Sequence, residues 1–281
     1  MDLLVQKSDQ SFRFSEIGLR ILDVDDRSSS LEVDSRTVKG RSGKIFASAK
    51  YGTKKVKVNG RLVVASIKDF MTKKDDVNGL LVDSEPFYIT KMYPQKENLY
   101  DFELPGMKAG DLDLLNQSHT AWHYRWKVYV SSEPEYTFVG KSSEGLKYNF
   151  TIAFETAELP FGETIAQNIV ITNGTFNYSG TAPFSQLEYP WSVELTSTGG
   201  QSSFYLEIDG RRWAYQYSAP LNQGDVIVVI TGISTTLNKI NVTARTNHEY
   251  FVLKQKVNKT ILYSTNFQGT IKFLNFKELY K

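Results

Sequence analysis

Along most of this chain apolar and polar residues alternate with a period of two, the spacing that puts successive side chains on opposite faces of a strand. Phe12 to Asp23 (FRFSEIGLRILD) reads as one or two strands, and Val56, Val58, Leu62, Val63 and Val64 supply a β-branched pattern. Pro86 to Met92 and Trp122 to Ser131 read as further strands, and Tyr136 to Val139 with Leu146 to Thr156 as a closing hairpin. One stretch changes period. Ile67 to Asp83 sets Phe70, Val77, Leu80 and Leu81 on one helical face, with Asn78-Gly79 expected to interrupt it. Lys96 to Ser118 is irregular and reads as a long loop.

Pro160 and Gly162 end the first series, and a new strand pattern follows. This predicts two domains, 1–162 and 163–281. Strands are expected over Asn168 to Thr172, Tyr189 to Thr196, Ser203 to Ile208, Arg212 to Tyr217, Val226 to Thr231, Lys239 to Ala244 and Thr270 to Phe276. Asn173-Gly174, Thr198-Gly199-Gly200, Asp209-Gly210 and Asn222-Gln223-Gly224-Asp225 separate them as turns. Asp209-Gly210 is the clearest hairpin signal. The spacing is that of a sandwich.

Composition agrees with an all-β fold: aromatics make up 13 % of the 281 residues. Cysteine is absent, which excludes disulfides, thiolate metal sites and a Cys nucleophile. The opening MDLLVQKSDQ carries no apolar signal run, so synthesis in a cytoplasm is expected. No apolar run approaches bilayer length, so no membrane partner is expected.

Charge alters the picture locally. The net charge is only +2, yet Thr37 to Val64 holds eight Lys or Arg (Lys39, Arg41, Lys44, Lys50, Lys54, Lys55, Lys57 and Arg61) and no acid. Asp23, Asp25, Asp26, Glu32 and Asp34 lie just before it. Lys39 to Gly43 and Tyr51-Gly52-Thr53 read as turns between basic strands. Only Phe46 and Tyr51 interleave with the bases, and no nucleic-acid motif is present, so a specific nucleic-acid partner is not expected.

Candidate chemistry is sparse. His119 and His123 have helical ligand spacing, but the second opens a strand pattern and no third ligand lies nearby. Asp111 and Asp113 lack the remaining ligands of a calcium loop, and no Gly-x-Ser-x-Gly elbow exists. No catalytic residue, metal or cofactor is expected.

Four features together resemble the distal tail proteins of siphophages that infect Gram-positive bacteria. They are the early strand Phe12 to Leu22; the turn Gly40-Arg41-Ser42-Gly43 followed by Tyr51-Gly52 and Lys54 to Val58; the junction Glu158-Leu159-Pro160-Phe161-Gly162 after Phe154; and a C-terminal set with Asn173-Gly174-Thr175, Tyr189-Pro190-Trp191, Ile208-Asp209-Gly210, Leu221 to Asp225 and Tyr250 to Leu253. The junction departs from the family's usual Asp-Pro-aromatic-Gly form, with Leu159 interposed.

The resemblance implies an N-terminal ring-forming domain, sandwich-like or barrel-like with one short helix, and a C-terminal galectin-like β-sandwich. It implies a homo-hexamer at the tail tip with no enzymatic activity. The implied partners are the tail tube protein and the tail-associated lysin or fibre-like protein, with tape-measure and receptor-binding proteins beyond them.

In such a ring Lys39, Arg41, Lys44, Lys54, Lys55, Lys57 and Arg61 are the candidates for subunit-interface or lumen residues; charge pairing between subunits or within the domain is weighed first, with a lumen role and a plain solvated face behind it. Arg211, Arg212 and Trp213 are candidate partner contacts. A carbohydrate-binding adhesin or receptor-binding tail protein is the rival. Trp191-Ser192-Val193-Glu194 echoes a galectin's Trp-x-x-Glu, but Thr196 stands where an Arg is expected and no His-x-Asn-Pro-Arg run is present.

Overall fold

The computed structural model describes residues 1–95, 118–230 and 234–281. The expected loop over Lys96 to Ser118 lies almost wholly outside them, as do Asp111 and Asp113. The chain divides into two compact units, Met1–Gly162 and Glu163–Lys281.

In the first unit the strands are β1 (Asp2–Gln6), β2 (Ser11–Arg13), β3 (Leu19–Asp25), β4 (Leu31–Arg36), β5 (Ile45–Tyr51), β6 (Lys55–Val64), β7 (Phe87–Pro94), β8 (His119–Ala121), β9 (Trp126–Val130), β10 (Glu135–Ser142) and β11 (Gly145–Thr156). One helix, α1 (Ile67–Leu81), follows β6. Nine strands form one antiparallel sheet in the order β2-β1-β7-β9-β11-β6-β3, with β10 added to β11 and β8 to β7. The sheet is open, ending at β2 and β3, and does not close into a barrel. β4 and β5 form a separate two-stranded hairpin.

The core follows from strict alternation. Val56, Val58, Leu62 and Val64 of β6 face inward beside Phe150, Ile152 and Phe154 of β11. Trp126 and Val128 of β9, Phe87 and Ile89 of β7, and Leu3 and Val5 of β1 extend the same cluster. Gly60 is the one inward position on β6 without a side chain. A Cβ there would overlap the Phe150 ring and the Arg20 carbonyl, so the close packing of β6 on its neighbours requires glycine.

The helix begins where Ser66 accepts the Asp69 amide (3.1 Å). It runs through Asn78-Gly79, against expectation. Val77 and Leu81, one turn apart, are both fully buried and hold the last turn on the sheet. That burial outweighs the cost of about 1 kcal/mol for an internal Gly. Phe70 stacks on Tyr148 with ring centroids 3.9 Å apart.

The second unit is a sandwich of antiparallel sheets. The larger sheet takes the order Gln167–Ile171, Gly269–Phe276, Ser192–Ser197, Val226–Ile230, Ser234–Leu237, Ile240–Asn241. The smaller runs Thr175–Asn177, Thr260–Thr265, Ser203–Ile208, Arg211–Gln216. Phe176 meets Phe273 edge-on at 4.9 Å between the two. Asp209 and Gly210 both have positive φ (51° and 81°), the pair required by the tight turn joining Ser203–Ile208 to Arg211–Gln216.

Candidate functional site

The basic stretch folds into three separate places. Lys39, Arg41 and Lys44 lie in the exposed loop between β4 and β5, where Gly40 and Gly43 take positive φ. The expected turn at Tyr51-Gly52-Thr53 joins no paired strands: β5 pairs with β4, whereas β6 pairs with β11 and β3. The segment carries the chain from the hairpin back into the large sheet.

Lys54 is only 1 % exposed, which removes it from the candidates for a neighbour or a lumen and leaves it the role within the domain. Its Nζ donates to the carbonyl oxygens of Asp26 (3.1 Å) and Arg27 (2.8 Å) and lies 5.6 Å from the centre of the Trp126 ring. Burial lowers its pKa from the usual lysine value; Asp26 opposes that shift and Lys91 adds to it. Asp26 is itself paired with Lys91 at 2.7 Å.

Lys55, Lys57 and Arg61 occupy the outward positions of β6. In register, Lys55 stands opposite Glu155, and Lys57 between Ala153 and Asp25. These opposite-charge placements favour the strand pairing itself. Arg61 differs, standing opposite Arg20 on one side and Asn149 on the other, to whose Oδ1 its Nε donates (3.2 Å).

The hairpin of β4 and β5 is the feature that charge counting missed. Leu31 pairs with Tyr51, Val33 with Ala49 and Ser35 with Phe46, which gives one apolar face. The other face carries Glu32 opposite Lys50, Asp34 opposite Ser48 and Arg36 opposite Ile45. Glu32 and Lys50 form an exposed ion pair at 3.1 Å. Among the described residues Phe161 meets the Tyr51 end of the apolar face, and the rest of it stays open: Phe46 is 64 % exposed, Leu31 56 % and Val33 52 %. The signal is present in the alternation of LEVDSR and IFASAKY, which the basic residues of the same stretch overlie.

In the second unit Trp213 corrects a second expectation. Alternation along Arg211–Gln216 turns Trp213 and Tyr215 into the core, where both are fully buried, so Trp213 is not a contact residue. Arg211 pairs with Glu249 (2.8 Å) and lies over the Tyr250 ring. Arg212 pairs with Glu207 (2.7 Å) and lies over Tyr205. Trp191, which a sugar-stacking role would need at the surface, is buried against Phe184 and Phe273. Among the described residues no group of three or more His, Cys, Asp or Glu is placed to hold a metal, and no helix is long and apolar enough to cross a membrane.

Residues 10–156 match the family model of the phage tail protein RIFT-related domain, a little over half of the chain. The chain belongs to this family of phage tail proteins. A search of curated proteins gives no match. Among solved structures, the chain shares its fold with the Dit protein of phage SPP1, described as a paradigm of hub adsorption apparatus in phages infecting Gram-positive bacteria. The identity is 12 %, the coverage 98 % of both chains and the TM-score 0.62. A structure of the phage P2 baseplate in its activated conformation with Ca aligns over 100 % of this chain and 98 % of that one at 10 % identity, with a TM-score of 0.39.

Proposed function

We propose that this tail protein is a distal tail, or baseplate hub, protein whose subunits close into a hexameric ring between the tail tube and the host-adsorption apparatus. The observation that carries the reading is the hairpin of β4 and β5, whose apolar face is left open at Leu31, Val33 and Phe46 among the described residues. A two-stranded hairpin gains little stability alone, and an apolar strand surface left open is an aggregation hazard. A second copy of the chain removes that hazard, and a head-to-tail contact that closes produces a ring.

In this reading residues 1–162 form the ring and residues 163–281 are a galectin-like sandwich facing other baseplate proteins. Lys39, Arg41, Lys44, Lys55, Lys57 and Arg61 remain interface or lumen residues, and Arg211 and Arg212 remain partner contacts. The partners are the tail tube protein and the tail-associated lysin or fibre-like protein, then tape-measure and receptor-binding proteins. The fold shared with a protein described as a paradigm of hub adsorption apparatus supports a place in the hub. The protein acts in the virion, after synthesis in the host cytoplasm, and by structure and not by catalysis. The burial of Trp191 argues against the rival sugar-binding adhesin.

Size-exclusion chromatography with light scattering, followed by negative-stain imaging, tests the proposal. Six-fold rings are expected at micromolar subunit concentration, alone or with the tail tube protein. A monomer under both conditions overturns it.

A further inference from the structure

We infer that Lys54 is a positioning residue: its buried ammonium clamps the root of the β4–β5 hairpin and so sets the direction in which the hairpin's bare apolar face is offered. This rests on the ring reading and deepens it.

The hairpin joins the large sheet through two legs, residues 26–30 and 51–54. Lys54 sits on the outgoing leg and reaches the incoming one, donating to two consecutive carbonyls, Asp26 (3.1 Å) and Arg27 (2.8 Å). Its own backbone is fixed to β11: its amide donates to Thr156 Oγ1 (3.1 Å), and its carbonyl accepts the Thr156 amide (3.0 Å). Trp126 forms a wall behind the ammonium.

Other contacts tie the same root. The Gly52 amide donates to the Ser30 carbonyl (2.9 Å), Ser30 Oγ donates to the Thr53 carbonyl (3.2 Å), and Ser29 Oγ donates to the Pro160 carbonyl. Tyr51 meets Phe161 edge-on at 5.1 Å.

Beyond this root the hairpin has almost no support, since nearly every residue of β4 and β5 is exposed. A buried lysine is costly unless its donors are used. Among the described residues Lys54 is the one buried lysine or arginine, and its donors are spent on the hairpin leg. A hydrophobic side chain of the same length would fill the space but leave the Asp26 and Arg27 carbonyls without their donor.

The test is hydrogen exchange on dilute, monomeric protein, with ring formation measured separately at higher concentration. Lys54→Met is expected to raise exchange in 27–36 and 45–53 roughly tenfold while β6 and β11 keep their protection, and to lower the ring fraction. Lys74→Met, which removes an equal charge from an exposed position on α1, should change neither.

If Lys54→Met does not fold, Lys91→Met takes its place. It frees the Asp26 carboxylate and is expected to raise exchange in the same segments by a smaller factor. Unchanged hairpin exchange in a folded Lys54→Met protein, or in Lys91→Met where Lys54→Met fails to fold, overturns the inference. Should the wild type itself form no ring, the ring reading fails, while the exchange data still decide whether Lys54 holds the hairpin.

Discussion

Phe46 stands opposite Ser35 across the β4–β5 ladder because a bulge after Asp34 leaves Ala47 without a partner in the ladder. A slip of one residue moves a side chain to the other face of a strand. Here it transfers Phe46 from the charged side of the hairpin to the side of Leu31 and Val33. The bulge therefore makes the apolar face continuous.

If that face seats a neighbouring subunit, Phe46→Glu should convert assemblies to monomers in light scattering. On dilute protein, where both are monomeric, its melting temperature should stay within about 1–2 °C of the wild type, because surface changes usually cost under about 0.5 kcal/mol. Assemblies that survive the substitution would remove the hairpin from the interface.

Gly60→Ala should destabilise the first unit. Its new methyl overlaps the Phe150 ring and the Arg20 backbone, and neither can move without disturbing β11 or β3. Overpacking of this kind costs roughly 1–3 kcal/mol. Urea unfolding followed by a probe in the first unit measures it, and a cost below about 0.5 kcal/mol would show that the strands give way freely.

Trp213→Ala and Arg212→Ala separate core from surface in the second unit. Loss of the fully buried Trp213 should cost about 3–5 kcal/mol. Loss of the exposed Arg212, which pairs with Glu207 and lies over the Tyr205 ring, should cost about 1 kcal/mol. Chemical denaturation of the two variants compares them, and equal effects would contradict the burial.

Acid should weaken the turn at Leu221 to Asp225. The Asp225 carboxylate accepts the Asn222 amide (2.8 Å) and the Asn238 side-chain amide (2.9 Å), which hold its pKa below the ordinary 3.8. A carboxyl with a lowered folded pKa contributes in full above its unfolded value, and that contribution fades as pH falls through the folded one. The melting temperature of Asp225→Asn should therefore lie below wild type at neutral pH, and the gap should narrow below about pH 4. A gap that stays constant with pH would show that the charge is not what stabilises the turn.

What the sequence determined was the local periodicity. Alternation marked Ser203 to Ile208 and the strands around Asp209-Gly210, because each inward residue of that hairpin is apolar and the turn pair must take positive φ. It marked the helix too, but not its persistence through Asn78-Gly79, which Val77 and Leu81 decide by packing on distant strands. Thr260–Thr265 carries no such mark, because Leu262 points outward and is 70 % exposed, which spoils the alternation.

Tertiary structure alone decided the fate of the charges. A lysine in a basic run looks solvated until the chain returns on itself. Only the arrival of Asp26, Arg27, Trp126 and Thr156 around Lys54 turned it from a surface charge into a buried clamp, and none of the four is its neighbour in sequence. In the same way β6 left β5 to pair with β11 and β3, and so divided one basic stretch between a bare hairpin and a sheet face. Strand pairing is a long-range choice set by which apolar faces meet, and the spacing of lysines along the chain carries no record of it.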